Sequence, residues 1–161
     1  MSDANVHRPT WDAETDRPPY RWQRSLVGRR AGAERLGASL FDVPPGGATF
    51  PFHAHHANEE LLVVLAGTPT LRTPAGEREL EEGEVVAFPA GRDGAHALEN
   101  RSGTTVRILI VSTMHAPDIN EFPDSGTLWA RSFAPGSVPP DGAAVAVGRV
   151  GDRLDPLAGG V

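Results

Sequence analysis

From residue 21 to residue 131 the chain alternates short apolar or every-second-residue apolar segments with clusters of glycine and proline. The segments RWQRSLVG, RLGASLFDV, ATFPFHAH, ELLVVLAG, PTLRT, REL, EVVAFP, AHALEN, TVRILIV and GTLWAR recur at close spacing. Between them stand PPGG, AGTP, TPAGE, EEGE, PAGRDG and NRSGT. A period of two sends successive side chains to opposite faces of a strand. Many short strands divided by turn residues predict an all-β sandwich or barrel. No segment in this span carries a capped apolar stripe of helical period. TPAGE, between TLR and REL, predicts a hairpin in which Gly76 supplies the positive φ.

Two strands raise questions of facing. ELLVVLA is apolar on both sides, so its outer side needs cover from a second sheet or another subunit. In TVRILIV, Arg107 points into the barrel if residues 107, 109 and 111 face inward. It is solvated if 106, 108 and 110 do, and the apolar Val106, Ile108 and Ile110 favour the second phase.

The ends differ from the middle. Residues 1–20 are polar with Pro9, Pro18 and Pro19, and predict an N-terminal arm. Residues 21–133 predict the barrel. Residues 134–161, rich in Gly, Pro and Ala, predict an irregular tail. The segment APDINEFPDSG reads as a turn region: Asp118, Glu121 and Asp124 are spaced irregularly among prolines and match no calcium-loop pattern. Trp11, Trp22 and Trp129 read as interface or end-plugging residues.

Composition narrows the chemistry. A chain of 161 residues predicts one domain. The net charge of −6 argues against a nucleic-acid partner, which selects a basic patch. The arginines between Arg21 and Arg35, interrupted by Glu34 and apolar residues, read as a solvated face. There is no cysteine, which excludes disulfides, thiolate ligands and a cysteine nucleophile. There is no lysine either, which excludes a lysine Schiff base and a Walker A loop. MSDANVHRPTW lacks the apolar core of a signal peptide, and LLVVLA is far short of the ~20 residues that span a bilayer. A cytoplasmic protein without a membrane partner is expected.

The stretch HAHHANEE, residues 53–60, concentrates the candidate chemistry. His53 and His55 share one strand face and His56 takes the other. Two imidazoles on one face can grip one metal ion, with further ligands from Glu59 or Glu60 after the turn and from His96. An idle surface loop would use the same residues. A metallo-β-lactamase arrangement requires an Asp that Ala57 and Asn58 do not supply. Every candidate ligand offers N or O, a set suited to Zn, Fe, Ni, Mn or Cu.

The frame around these residues is regular. One stretch reads Gly47, five residues, His53, one, His55, four, Glu60, six, Gly67. A second reads Gly83, five residues, Pro89, one, Gly91, four, His96, three, Asn100. These resemble the two cupin motifs, G-x5-H-x-H-x3,4-E-x6-G and G-x5-P-x-G-x2-H-x3-N. The first match is complete; the second departs only in the four residues RDGA before His96. The resemblance implies a small cupin-type double-stranded β-helix, a jelly-roll barrel. It implies that His53, His55, Glu60 and His96 ligate one divalent transition metal ion, Fe, Zn, Mn or Ni. Glu60, not Glu59, has the required spacing to Gly67. His56 is then a supporting or surface residue, and Asn100 a structural turn residue.

The same resemblance implies a homodimer, with the strand around Trp22 a candidate for exchange, and a small-molecule ligand or substrate. Dioxygenase-like oxidoreductase chemistry is expected first and sugar-phosphate isomerase chemistry second. A non-catalytic binder of a sugar or organic acid is the alternative. Glu60 is the candidate catalytic residue, either as ligand or as a base at the ion's edge.

Overall fold

The computed structural model describes residues 4–137 and 139–151. The far end of the tail expected over 134–161 lies outside these residues. The regular structure of the described residues is almost wholly strand: β1 (Ala13–Arg17), β2 (Tyr20–Ser25), β3 (Leu36–Val43), β4 (Ala54–His55), β5 (Glu60–Ala66), β6 (Thr70–Thr73), β7 (Gly76–Glu79), β8 (Val85–Phe88), β9 (Ala97–Glu99), β10 (Val106–Thr113), β11 (Asp118–Phe122), β12 (Thr127–Arg131) and β13 (Val145–Arg149). A single helical turn, α1 (Val27–Arg30), and a 3-10 turn at Arg92–Gly94 interrupt them. No helix among the described residues is long and apolar enough to cross a membrane.

The strands form three antiparallel sheets. The largest has the order β1-β2-β3-β10-β5-β8. A second runs β13-β12-β11-β4 and a third β7-β6-β9. The sequence pattern sets which side faces in. Along β10, Val106, Ile108, Ile110 and Ser112 are buried, while Arg107, Leu109, Val111 and Thr113 are only half-buried. Arg107 therefore faces outward, where it forms a bidentate pair with Asp42 at 2.6 and 2.7 Å. Along β5, Glu60, Leu62 and Val64 face inward together.

One half of the barrel is filled. Phe41, Leu62, Val64, Leu71, Leu98 and Ile108 belong to one buried apolar cluster between the large sheet and the β7-β6-β9 sheet. Each such side chain contributes ~1.5–3 kcal/mol on burial. Trp22 packs inside this same barrel, 5.6 Å from Phe41 and 5.7 Å from Phe50 between ring centroids. Its strand pairs with β3 of its own chain.

Three strands were not evident from apolar pattern. β1 lies within the segment expected to be an arm. Its sequence AETDR has no apolar side, and it is held by its pairing with β2 and by the Asp16–Arg21 ion pair. β13, in the stretch expected to be irregular, is held by pairing with β12. β11, in the segment expected to be a turn, inverts the usual rule: Asp118 and Asn120 are buried while Ile119 is 39% exposed. Conversely, only Ala54–His55 of ATFPFHAH is a strand, because the chain bends through Pro51, which has no N–H to pair.

Candidate metal centre

The two motifs lie side by side. Asn100 N–H donates to the Gly47 carbonyl at 2.8 Å and Thr49 N–H to Leu98 at 3.0 Å. His53 and His96 then form an antiparallel bridge, with backbone bonds of 3.1 and 2.9 Å. Asn100 locks the start of this ladder from its side chain, donating to the Val43 and Thr104 carbonyls at 2.8 and 2.7 Å.

The insertion before His96 is absorbed by the 3-10 turn at Arg92–Gly94. Gly91 enters it with φ +92°, and its N–H donates to the His55 carbonyl at 2.7 Å. Gly94 packs so closely that a Cβ there would overlap the Pro89 carbonyl oxygen. The turn therefore requires glycine at 94 and delivers His96 beside His53.

Each of the three motif imidazoles has its Nδ1 engaged. His53 Nδ1 donates to the Pro51 carbonyl at 2.8 Å, and His96 Nδ1 to Gly94 at 2.9 Å. His55 Nδ1 donates to Asp118 Oδ2 at 2.7 Å. An occupied Nδ1–H leaves the lone pair on Nε2, the state a metal ligand needs. His96 Nε2 lies 3.3 Å, and His55 Nε2 3.7 Å, from Glu60 Oε2. Ligand atoms of His53, Glu60 and His96 all lie within 4.8 Å of one another. His55 stands beside this trio, its ring centroid 5.1 Å from that of His53 and the Asn120 amide nitrogen 3.3 Å from its Nε2.

The electrostatics favour a ligand set. Burial, reinforced by the charges of His96 and His55, pushes His53 down to about 3, so its imidazole is neutral. Burial alone would raise Glu60, but the contact with His96 Nε2 and the positive fields that His55, His96 and His53 exert when protonated outweigh it and hold Glu60 below the ordinary carboxyl range. Asp118 shows the same balance. The His55 hydrogen bond and charge, with the N–H of Ala57, overcome burial and hold it at about 2. Three buried imidazoles with Nδ1 engaged and a buried carboxylate held low fit a divalent transition metal.

The remaining acids and histidines sort by face. Glu59 is exposed. His56 points away from the site, its Nε2 2.9 Å from Glu121 Oε2, and Arg92 holds the same carboxylate at 2.9 Å. A cavity of about 370 Å³ opens over the three histidines and Glu60. Its walls include Phe41, Phe50, Ile110, Phe122 and Trp129, with Arg24 and Arg131 among them.

The cupin domain family (Cupin_2) matches residues 39–112. The chain belongs to the cupin superfamily. Among solved structures, this cupin is similar to a sugar phosphate isomerase from Silicibacter pomeroyi DSS-3 at 23% identity and TM-score 0.70, covering 84% of this chain and 81% of that one. It is similar to the polyketide cyclase RemF from Streptomyces resistomycificus at 30% identity and TM-score 0.54, over 64% and 73% of the two chains. A predicted oxalate decarboxylase from Thermotoga maritima matches at 18% identity and TM-score 0.50, over 57% and 79%. The first and third likenesses are of fold. No match is found among curated proteins.

Several residues of this cupin's site were not evident from its sequence. Asp118, Asn120 and Phe122 come from β11, and Trp129, read as an end plug, lines the cavity. Arg24, read as part of a solvated face, shares the inward side of β2 with Trp22. One signal was present: in DIN, polar residues alternate with Ile119, the pattern of a strand whose inner side meets a polar site.

Proposed function

We propose that this cupin is a mononuclear metalloenzyme in which His53, His55, His96 and Glu60 hold one divalent ion, Fe, Zn, Mn or Ni. The observation that carries this reading is the common arrangement of the imidazoles: every Nδ1 is tied to an oxygen acceptor, so Nε2 is left as the ligand atom. A bound divalent ion supplies Lewis acidity toward a substrate oxygen and, as iron, access to dioxygen chemistry. The chain's own residues do the rest. Asp118 orients His55. Glu60, buried and ionised beside His96, either ligates the ion or accepts a proton from substrate at Oε2.

Dioxygenase-like chemistry on a small organic molecule is the reading we put first. The cavity walls are largely aromatic and aliphatic, which suits an apolar substrate body and dioxygen better than a polyhydroxylated sugar phosphate. Isomerase chemistry is the second reading, and metal-dependent ligand binding without turnover the third. Elemental analysis of tag-free protein, purified anaerobically without added metal, tests the centre. A near-stoichiometric ion that His96→Ala loses supports it. Iron with substrate-dependent oxygen uptake supports the dioxygenase, whereas zinc or manganese directs the assay to isomerisation. Folded protein that takes up no metal would sink the reading.

A homodimer is part of the same proposal. Leu36, Leu61 and Val85 are 54%, 39% and 57% exposed on the outer side of the large sheet, and a second copy would cover them. Light scattering on the wild type and on Leu61→Glu decides it: a dimer that the variant makes monomeric supports the interface.

A further inference from the structure

Two guanidinium groups face the cavity above the histidines, and their partners do not account for them. Arg24 sits over the Phe41 ring, 5.4 Å from its centroid. Its Nε and Nη2 both donate to one neutral acceptor, Ser39 Oγ, at 3.1 and 2.7 Å. No carboxylate among the described residues lies in ion-pair distance of it. Gly136 closes over the group with φ +70°, and a Cβ there would overlap Arg24 Nη2. Burial pulls Arg24 below its ordinary range, with the fields of Glu60 and Asp12 only partly offsetting it. Arg131 is 8% exposed. Its Nη2 contacts Asp118 and Asn120, yet its buried Nε–H has no acceptor.

A buried cation without a counter-charge is costly, and a buried donor without an acceptor costs ~1–3 kcal/mol. Both side chains line one cavity. Asp118 is taken by Arg131 and Glu60 stands among the histidines, so neither carboxylate pairs with Arg24. An anion is what the cavity lacks. Phe50, Phe122, Trp129 and Ile110 give the wall a broad apolar surface, and Ser39, Thr49, Ser112 and Asn120 are its uncharged polar side chains.

We propose that the substrate is an organic acid with an apolar body, its carboxylate held by Arg24 with Arg131 beside it, its body lying against Phe50, Phe122 and Trp129. The placement of the substrate's reacting end at the ion rests on the metalloenzyme reading above; the carboxylate site does not. Arg24 is thus a specificity residue. Arg131 serves both the substrate and, through Asp118, the orientation of His55.

Phenylacetate and its neutral isostere phenylacetamide test the charge, and glucose 6-phosphate tests the apolar requirement. Binding of each to the full chain is measured by calorimetry, with and without reconstituted metal, in wild type, Arg24→Gln and Arg24→Lys. The expected result is phenylacetate binding about tenfold or more tighter than the amide, as charge-assisted hydrogen bonds allow. The gap should close in Arg24→Gln and return in part in Arg24→Lys, with metal content unchanged. Equal binding of acid and amide, tighter binding of glucose 6-phosphate, or no binding of the acid by folded protein overturns the proposal. If Arg24→Gln does not fold, the wild-type acid–amide comparison decides alone. Failure to take up metal, with acid selectivity intact, overturns the metal reading and leaves this one standing.

Discussion

His53 and His96, one from each motif, are cross-strand partners: each donates its backbone N–H to the other's carbonyl, at 3.1 and 2.9 Å. The distance between the two imidazoles is therefore set by a backbone bridge, not by side-chain packing alone. A hydrogen-bonded antiparallel pair holds its side chains on one face at fixed separation, and here the ring centroids are 4.8 Å apart.

Removing either member of this pair should abolish metal retention while leaving the barrel intact. The backbone bridge survives substitution, and both side chains line the cavity, His96 also stacking on Phe88 at the edge of the apolar cluster. His53→Ala and His96→Ala are expected to keep wild-type circular dichroism and to show no bound ion by elemental analysis.

Asp118→Asn tests the support behind His55. The substitution keeps the size of Asp118 but removes the charge that accepts the Nδ1–H at 2.7 Å. Loss of such a partner weakens metal affinity by about 10–100-fold. Competition with a chelator of known affinity measures the change, and His56→Gln, altered on the opposite face, should leave affinity at the wild-type value.

Gly94→Ala should be strongly disruptive although it adds a single methyl group, because Gly94 is buried. The added Cβ would meet the Pro89 carbonyl oxygen, part of a backbone that cannot yield as a side-chain tip does. A loss of about 1–3 kcal/mol is expected from overpacking, read as a lower urea midpoint. Metal affinity should fall with it, because His96 Nδ1 is anchored on the carbonyl of the same residue.

The metal-free protein should lose stability as pH falls from 6.5 toward 4.5. Folded His53 stays neutral down to about 3, whereas in the unfolded chain it protonates near the ordinary histidine value of 6.5. Within that window the unfolded state binds more protons, so stability rises with pH. Carboxyls held low in the fold, Glu60 and Asp118 among them, add in the same direction as pH approaches their ordinary values of 4.5 and 3.8, and the comparison with a His53 variant separates the histidine. The slope approaches at most about 1.4 kcal/mol per pH unit for one group. Urea midpoints across this range should fall less steeply in His53→Gln than in wild type.

The strand pattern within the motifs and the gathering of His53, His55, Glu60 and His96 were legible along the chain, because both depend on local spacing. Alternation alone puts His53 and His55 on one face and sends His56 to the other, where Glu121 meets it. The six-residue step to Gly67 separates inward Glu60 from exposed Glu59. What the tertiary structure decided is everything that reaches the site from far along the chain. Asp118 lies sixty-three residues from the His55 it orients, on a strand whose inner side is polar because it faces ionisable groups, so its apolar pattern is reversed. Arg24 and Trp129 look like surface and edge residues in one dimension. They become cavity walls only when β2 joins β3 and β12 joins β11, since pairing between distant strands fixes which alternate residues point inward and local alternation cannot.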